Sequence, residues 1–265
     1  MTKRFGLTVI TGGAQGIGRA LSQAFAADGA TQVVVLDRDG DKATALAEQL
    51  QGRAVAVDVS DGSAFAQALE TIEDDIGPIS TFVSNAGVAW GFEAPLDNAA
   101  YASDEIWNKS WEINVLAHVR AARILVPRMI ARGGGTFVQI ASAAGLLNQI
   151  GSAVYGTTKH AAVGFAENLA ISHGAQGIRV ALVCPQGVDT ALLSSIPVGP
   201  ERGDGVLTAE AVALATISGL DEGRFLILPH EGVHEYVRQK AENTDRWIRG
   251  MGRLAQRFVS NDSEK

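Results

Sequence analysis

The sequence predicts a doubly wound α/β fold: a seven-stranded parallel sheet with helices on both faces, followed by a helical C-terminal tail. Three observations predict it. Short β-rich apolar runs alternate along the chain with longer stretches of helical character. The runs are apolar at consecutive positions, as in Val33-Val34-Val35-Leu36, which suits strands buried on both faces. The segments between the runs are long enough for crossover helices, which parallel strands require.

The seven strands are expected at residues 7–11, 32–37, 53–57, 80–84, 136–141, 179–184 and 224–228. The first is a short apolar run after Met1-Thr2-Lys3-Arg4. That start has a faint likeness to a secretion signal, but glycines interrupt it and no cleavage site follows, so it reads as strand one. At 265 residues the chain has the length of one large α/β domain. We divide it into a body, residues 1–229, and an extension, residues 230–265, packing on the same domain or on a neighbouring subunit. Within the extension Trp247, Met251, Leu254 and Phe258 recur at spacings of four, three and four, an apolar stripe that must be buried somewhere. A subunit interface is the reading preferred here. Residues 260–265 are polar and expected to fray.

Composition narrows the function. Apolar residues make up 46% and charged residues 19%, an ordinary globular balance, and the 30 glycines suit tight strand-to-helix turns. A formal charge of −7 argues against nucleic acid and anionic membrane as partners. No apolar run approaches the ~20 residues of a membrane span. A single cysteine, Cys184, excludes an intramolecular disulfide and fits a cytoplasmic location; ending an apolar run, it reads as a packing residue. Histidines 118, 160, 173, 230 and 234 show no metal-ligand grouping, and no metal is assigned.

Sheets of this kind bind ligands beyond the carboxyl ends of their strands, so the residues found there take priority. Strand one runs into Thr11-Gly12-Gly13-Ala14-Gln15-Gly16-Ile17-Gly18, where a helix opens. Glycines at this point let backbone approach a diphosphate, whose charge is favoured by the free N–H groups of the helix start. The spacing is a variant of the commoner dinucleotide fingerprint, and a plain tight turn would need fewer glycines. Asp37 closes strand two about 20 residues further on, where a carboxylate can accept from both adenosine ribose hydroxyls. This favours NAD, because the same charge repels the additional phosphate of NADP. Arg38 is the contrary sign, a side chain able to fold over that phosphate, stack on adenine, or face solvent. Asp58, with Val59 beside it, ends strand three and either holds the adenine amino group or caps the following helix. Tyr155 and Lys159, four residues apart, share one helix face. An ammonium beside a phenol stabilises the phenolate and lets the pair exchange a proton with a substrate oxygen; alone, the same spacing usually marks an exposed pair.

With the glycine loop, Asp37, Ser142, Tyr155 and Lys159 in this order, the chain resembles the short-chain dehydrogenase/reductase family over roughly residues 7–228. That resemblance implies a Rossmann-like fold and a nicotinamide cofactor. Ser84-Asn85-Ala86-Gly87 is similar to the family's Asn-Asn-Ala-Gly, with serine at its first position; in the family this turn supports the sheet and lines the cofactor. Asn114 matches the family's catalytic asparagine. On physical grounds an asparagine amid Ile113, Val115 and Leu116 is out of place in a helix, and a local kink around a bound water would account for it. Ser142 resembles the serine that orients the substrate carbonyl. The implied reaction passes hydride between a carbinol carbon and nicotinamide while Tyr155 passes the hydroxyl proton. Lys159 would hold the nicotinamide ribose and depress the Tyr155 pKa, and Asn114 would fix a water that relays protons from Lys159. Pro185, Val188 and Thr190 match positions that lie against the nicotinamide side of the cofactor.

Two departures stand out. Pro185-Gln186 replaces the family's Pro-Gly, which puts Gln186 into the pocket wall, and Leu228-Pro229-His230 replaces Asp-Gly-Gly after the last strand. Trp90 and Phe92, then Ala144, Leu146 and Leu147, then Leu192, Leu193 and Ile196 are the candidates for an apolar substrate wall, of which about half belong to ordinary core. The substrate expected is a small apolar secondary alcohol or ketone, and the assembly expected is a homodimer or homotetramer. Two alternatives stay open: an NADP-dependent carbonyl reductase of the same family using Arg38, and a nucleotide-binding protein without turnover.

Overall fold

The computed structural model describes residues 4–92 and 98–262. Seven parallel strands form one sheet: β1 (Gly6–Thr11), β2 (Ala30–Asp37), β3 (Arg53–Ala56), β4 (Ile79–Ser84), β5 (Gly135–Ile140), β6 (Ile178–Val183) and β7 (Leu226–Ile227). Their order across the sheet is β3-β2-β1-β4-β5-β6-β7, so the direction of winding reverses between β1 and β4. That reversal leaves a crevice at the strand ends, where glycine loop and Asn85 meet.

The consecutive apolar residues of the strands divide between two cores. In β2, Val34 and Leu36 join Phe82, Phe137 and Leu182 on one face, while Val33 and Val35 join Ile10, Val83 and Val183 on the other. Helices α1 (Gly16–Ala27), α2 (Gly40–Gln49) and α9 (Ala209–Asp221) supply Phe25, Leu46 and Val212 to the second face. Helices α3 (Gly62–Thr71), α5 (Ala117–Ala131) and α7 (Ala153–His173) supply Phe65, Leu125 and Ala166 to the first. Cys184 is buried in that first core, and burial pushes its thiol up to about 12, so it packs as a protonated apolar group.

All seven predicted strands form, with shifted ends. The last shrinks from the expected 224–228 to two residues: it is an edge strand paired with β6 alone, and Pro229 brings no N–H to extend it. The crossover from β4 to β5 is not one helix. It runs as α4 (Asp104–Trp111), a π-helical turn at Glu112–Leu116, and α5. The wide turn lies where Asn114 was expected to cause a kink.

Beyond β5 come a short α6 (Ala144–Leu147), then α7, and after β6 a short α8 (Ala191–Ser194). The tail forms α10 (Gly232–Glu242) and α11 (Thr244–Asp262). The helix carries residues expected to fray as far as Asp262; residues 263–265 and the Phe258 side chain lie outside the described residues. Val233 and Trp247 pack with Ala143 and Leu147 of their own subunit, and Tyr236 stacks near Trp247 at 6.3 Å. Trp247, Met251 and Leu254 then face a cleft of their own chain, so the stripe that suggested an interface has a place within the subunit. Among the described residues no helix is long and apolar enough to cross a membrane.

Candidate active site

One cleft of about 1080 Å³ runs along the carboxyl ends of the strands, from Asp37 and Asp58 at one end to Tyr155, Leu193 and Met251 at the other. The glycine loop forms its floor. Gly12 has φ +59°, and a Cβ there would stand 3.0 Å from the Ala86 Cα. Gly18 is tighter still, because its Cβ would fall 2.0 Å from the Gly12 carbonyl oxygen. Gly18 does not line the cleft as expected. Its role is to let α1 close against the loop, while Gly12, Gln15, Gly16 and Ile17 present the surface.

Asn85 staples the loop to β4. Its Nδ2 donates to the carbonyls of Thr11 at 3.0 Å and Gly12 at 3.1 Å, and its N–H donates to the Thr11 hydroxyl at 2.9 Å. Ala86 and Gly87 continue along the wall. A side chain at Gly87 would meet Asn114 Oδ1 at 3.3 Å and Lys159 Nζ at 3.4 Å, so this glycine keeps space for both.

The end of the cleft at Asp37 and Asp58 is acidic. Asp37 is buried; its Oδ2 accepts from the Ala14 N–H and its Oδ1 from the Asp39 N–H, both at 3.1 Å. Arg38 lines the cleft beside it, exposed. The two readings of Asp58 now separate. Asp61 caps α3 by accepting from the Ser63 and Ala64 N–H groups, whereas Asp58 bonds Ser60 and lines the cleft next to Val59.

Three features of these residues bear on a dinucleotide. The Gln15 side chain makes no capping bond at the start of α1, which leaves that end of the helix for an anion. The glycine floor has no room for a Cβ at Gly12, and Asp37 keeps lone pairs beyond the two it uses. The residues fit.

At the other end Ser142, Tyr155 and Lys159 converge on the cleft. Ser152 caps α7, its hydroxyl accepting from the Tyr155 N–H at 3.0 Å and donating to the Trp90 carbonyl at 2.6 Å. Lys159 is buried, with Nζ 3.4 Å from the Ile140 carbonyl and 5.7 Å from the Tyr155 ring centre. Burial lowers its pKa to about 8. The Tyr155 phenol is raised, first by burial; the Ser142 hydroxyl pulls the other way, and Cys184 and Glu201 add to the rise. The direction is the reverse of the one expected from Lys159, because burial of the phenol is the dominant influence on it.

Asn114 does not line the cleft. It is fully buried, with Nδ2 donating to the Val88 carbonyl at 3.0 Å and to the Thr158 hydroxyl at 3.1 Å, and Oδ1 accepting from the Val88 N–H at 2.9 Å. The side chain is spent on holding the turn after Gly87 against α7.

The substrate end only partly matches the expected wall. Ala144, Gln186, Leu192, Leu193, Leu147 and Ile196 line it. Trp90 does not, being bound through its carbonyl to Ser152 with its ring partly exposed, and Leu146 turns instead into the core between α6 and the tail. Phe92 stands 6.3 Å from the Tyr155 ring without lining the cleft. Sequence reasoning missed Gln149 and Glu201, bonded to each other at 3.2 Å, and the α11 face of Trp247, Met251 and Leu254. The helical stripe was visible, but its partner was not. Pro185, Val188 and Thr190 lie on the wall as expected. Among the described residues no group of three or more His, Cys, Asp or Glu is arranged to hold a metal ion.

A dinucleotide cleft at a topological switch point, with a tyrosine, a lysine and a serine gathered at its inner end, defines a nicotinamide-dependent oxidoreductase. Residues 7–199 match the short chain dehydrogenase family model, and the chain belongs to that family. It is 34% identical to 1-deoxy-11-beta-hydroxypentalenate dehydrogenase of Streptomyces exfoliatus, over 91% of this chain and 88% of the relative. It is also 34% identical to the oxidoreductase UcpA of Escherichia coli K12, over 78% of this chain and 79% of the other. Among solved structures it resembles a short chain dehydrogenase/reductase from Burkholderia phymatum in complex with NAD, at TM-score 0.79 and 27% identity, covering 92% of this chain and 96% of that one.

Proposed function

We propose that the protein is an NAD-dependent dehydrogenase that interconverts an apolar secondary alcohol and its ketone, with Tyr155 as general acid and base. The observation that carries this reading is the convergence of Ser142, Tyr155 and Lys159 at one end of a cleft whose other end is closed by a buried carboxylate, Asp37. The bound nicotinamide supplies the hydride chemistry. The chain's own residues align and exchange protons. The Ser142 hydroxyl orients the substrate oxygen, and the Tyr155 phenol takes or returns its proton. Lys159 holds the nicotinamide ribose and, with a pKa near 8, exchanges protons with solvent through a water held at the Asn114 turn. The named substrate of the Streptomyces exfoliatus relative is a hydroxy compound, in keeping with this class.

Asp37 supports NAD over NADP, since a carboxylate lining this end of the cleft would repel a 2′-phosphate there. Arg38 favours a second reading, an NADP-dependent carbonyl reductase, because it lines the same end of the cleft. A homodimer or homotetramer in the cytoplasm belongs to the proposal, and a solution mass of one chain that is unchanged by concentration would count against the assembly. The experiment that tests the function is NADH formation from NAD, and separately NADPH from NADP, across a panel of apolar secondary alcohols. Tyr155→Phe should lose at least ~10³-fold in kcat while its Kd for NAD stays within twofold. Undiminished turnover in that variant would end the mechanism.

A further inference from the structure

Two departures from the family pattern, far apart in sequence, meet in the structure. His230 stands where Asp-Gly-Gly was expected and is buried behind the segment that follows β6. Its Nδ1 accepts from the Gln186 N–H at 3.1 Å, and its Nε2 donates to the Gly187 carbonyl at 3.1 Å. Burial lowers its pKa, which keeps the ring neutral, as one donor plus one acceptor demands. The imidazole therefore clamps the peptide groups before Gln186 and after Gly187, and the residue fixed by that clamp is Gln186, the other departure.

Gln186 is a wall residue of the substrate end of the cleft. Its backbone neighbour Pro185 offers a carbonyl that accepts from the Ser142 hydroxyl at 3.4 Å and from the Ala143 N–H at 2.8 Å. Gln186 thus begins one residue from the group that orients the reacting oxygen. Its side-chain amide makes no hydrogen bond among the described residues, and Oε1 is buried without a partner. Other polar groups on this wall are already used. Gln149 donates to Glu201 and to the Ile150 carbonyl, Glu201 also accepts from the Gly199 N–H, and the Thr190 hydroxyl caps α8. Gln186 is half-buried, and an amide with no protein partner on a largely apolar wall is a recognition group, because native structures rarely leave a shielded polar atom such as its Oε1 without use.

We infer that Gln186 is a specificity residue whose amide takes a second oxygen function of the substrate, a hydroxyl or carbonyl next to the reacting carbinol, and that His230 is the positioning residue that holds it there. The inference rests on the dehydrogenase reading and narrows its substrate class from apolar secondary alcohols to those bearing a vicinal oxygen, 1,2-diols and their hydroxy-ketone products. An amide carries a donor and an acceptor, and a hydroxyl satisfies either, so a diol is matched whichever way the amide is turned.

The test uses 1-phenylpropane-1,2-diol against 1-phenylpropan-1-ol, matched in apolar body and differing in one hydroxyl. With wild-type enzyme and NAD the diol should be preferred at least tenfold in kcat/KM. Q186G, which restores the residue usual in the family, should bring that ratio to within twofold. H230F should do the same, and H230Q, which keeps one donor and one acceptor, should recover most of the preference. Binding is read separately by calorimetry on NAD-loaded Y155F, where the diol should bind at least tenfold tighter and lose that advantage in Y155F/Q186G. Equal binding of the two probes, or a preference that Q186G leaves intact, overturns the inference. A binding preference without turnover of either probe supports the subsite and overturns the dehydrogenase reading instead.

Discussion

Replacing Asp37 by asparagine tests the adenosine end of the cleft with the fewest changes in shape. Both carboxylate oxygens accept from backbone: Oδ2 from Ala14 in the glycine loop and Oδ1 from Asp39, each at 3.1 Å. Asparagine has one acceptor oxygen and presents N–H₂ at the other position. One of the two backbone donors then faces another donor in a residue that is only 5% exposed. A hydrogen bond to a charged group contributes about 1.5–3 kcal/mol, so D37N should lose about 2 kcal/mol of stability. For a chain of this size that corresponds to a fall in Tm of roughly 4–8 °C. The loss of charge has a second effect. NAD loses a charge-assisted bond to its ribose, at about 1.4 kcal/mol or tenfold in Kd, while NADP is freed from repulsion. Damage to the glycine loop weakens both cofactors alike, so the ratio of their dissociation constants isolates the carboxylate. Urea unfolding with circular dichroism gives the stability, and cofactor titration by calorimetry gives the two constants. A stability loss with an unchanged ratio would reduce Asp37 to a loop support and remove the basis for NAD preference. Full stability with an unchanged ratio would refute the whole argument.

Other expectations follow from the same geometry. His118 is buried with its pKa lowered to about 3, first by desolvation and then by the Lys159 charge, against about 6.5 when unfolded. Below pH 6.5 the unfolded chain binds a proton that the folded one refuses. The stability contributed above that pH is therefore lost as pH falls, by up to about 1.4 kcal/mol per unit down to pH 3. Urea midpoints measured from pH 7 to 5 should fall more steeply in wild type than in H118L, and parallel slopes would contradict the burial of a neutral ring. Truncation after Asn243 removes the α11 wall of Trp247, Met251 and Leu254. It should raise the KM for an apolar alcohol about tenfold or more while leaving the Kd for NAD within twofold. An unchanged KM would mean the helix covers no part of the substrate.

The sequence by itself determined the seven-stranded doubly wound sheet, the glycine turn after its first strand and the shared face of Tyr155 and Lys159. These are local patterns. A strand buried on both faces writes itself as Val33-Val34-Val35-Leu36, a diphosphate site needs glycines at one turn, and a tyrosine and lysine one turn apart share a face wherever the helix lies. What the sequence left open depended on which distant segments meet. Spacing alone could not tell that Gly18 packs beneath the loop instead of lining it, since that follows from its approach to the Gly12 carbonyl. Nor did it reveal that Asn114 spends its amide on Val88 and Thr158, or that Asp61 and not Asp58 caps α3. The apolar stripe of α11 was legible, but only the fold decides that it closes a cleft of its own subunit. The Tyr155 pKa went the other way because burial is a property of the whole packed chain, while the Lys159 spacing is a property of one helix. In the same way Gln186 and His230 are unrelated in sequence, and the two hydrogen bonds that join them exist only because the end of β6 lies beside the end of β7.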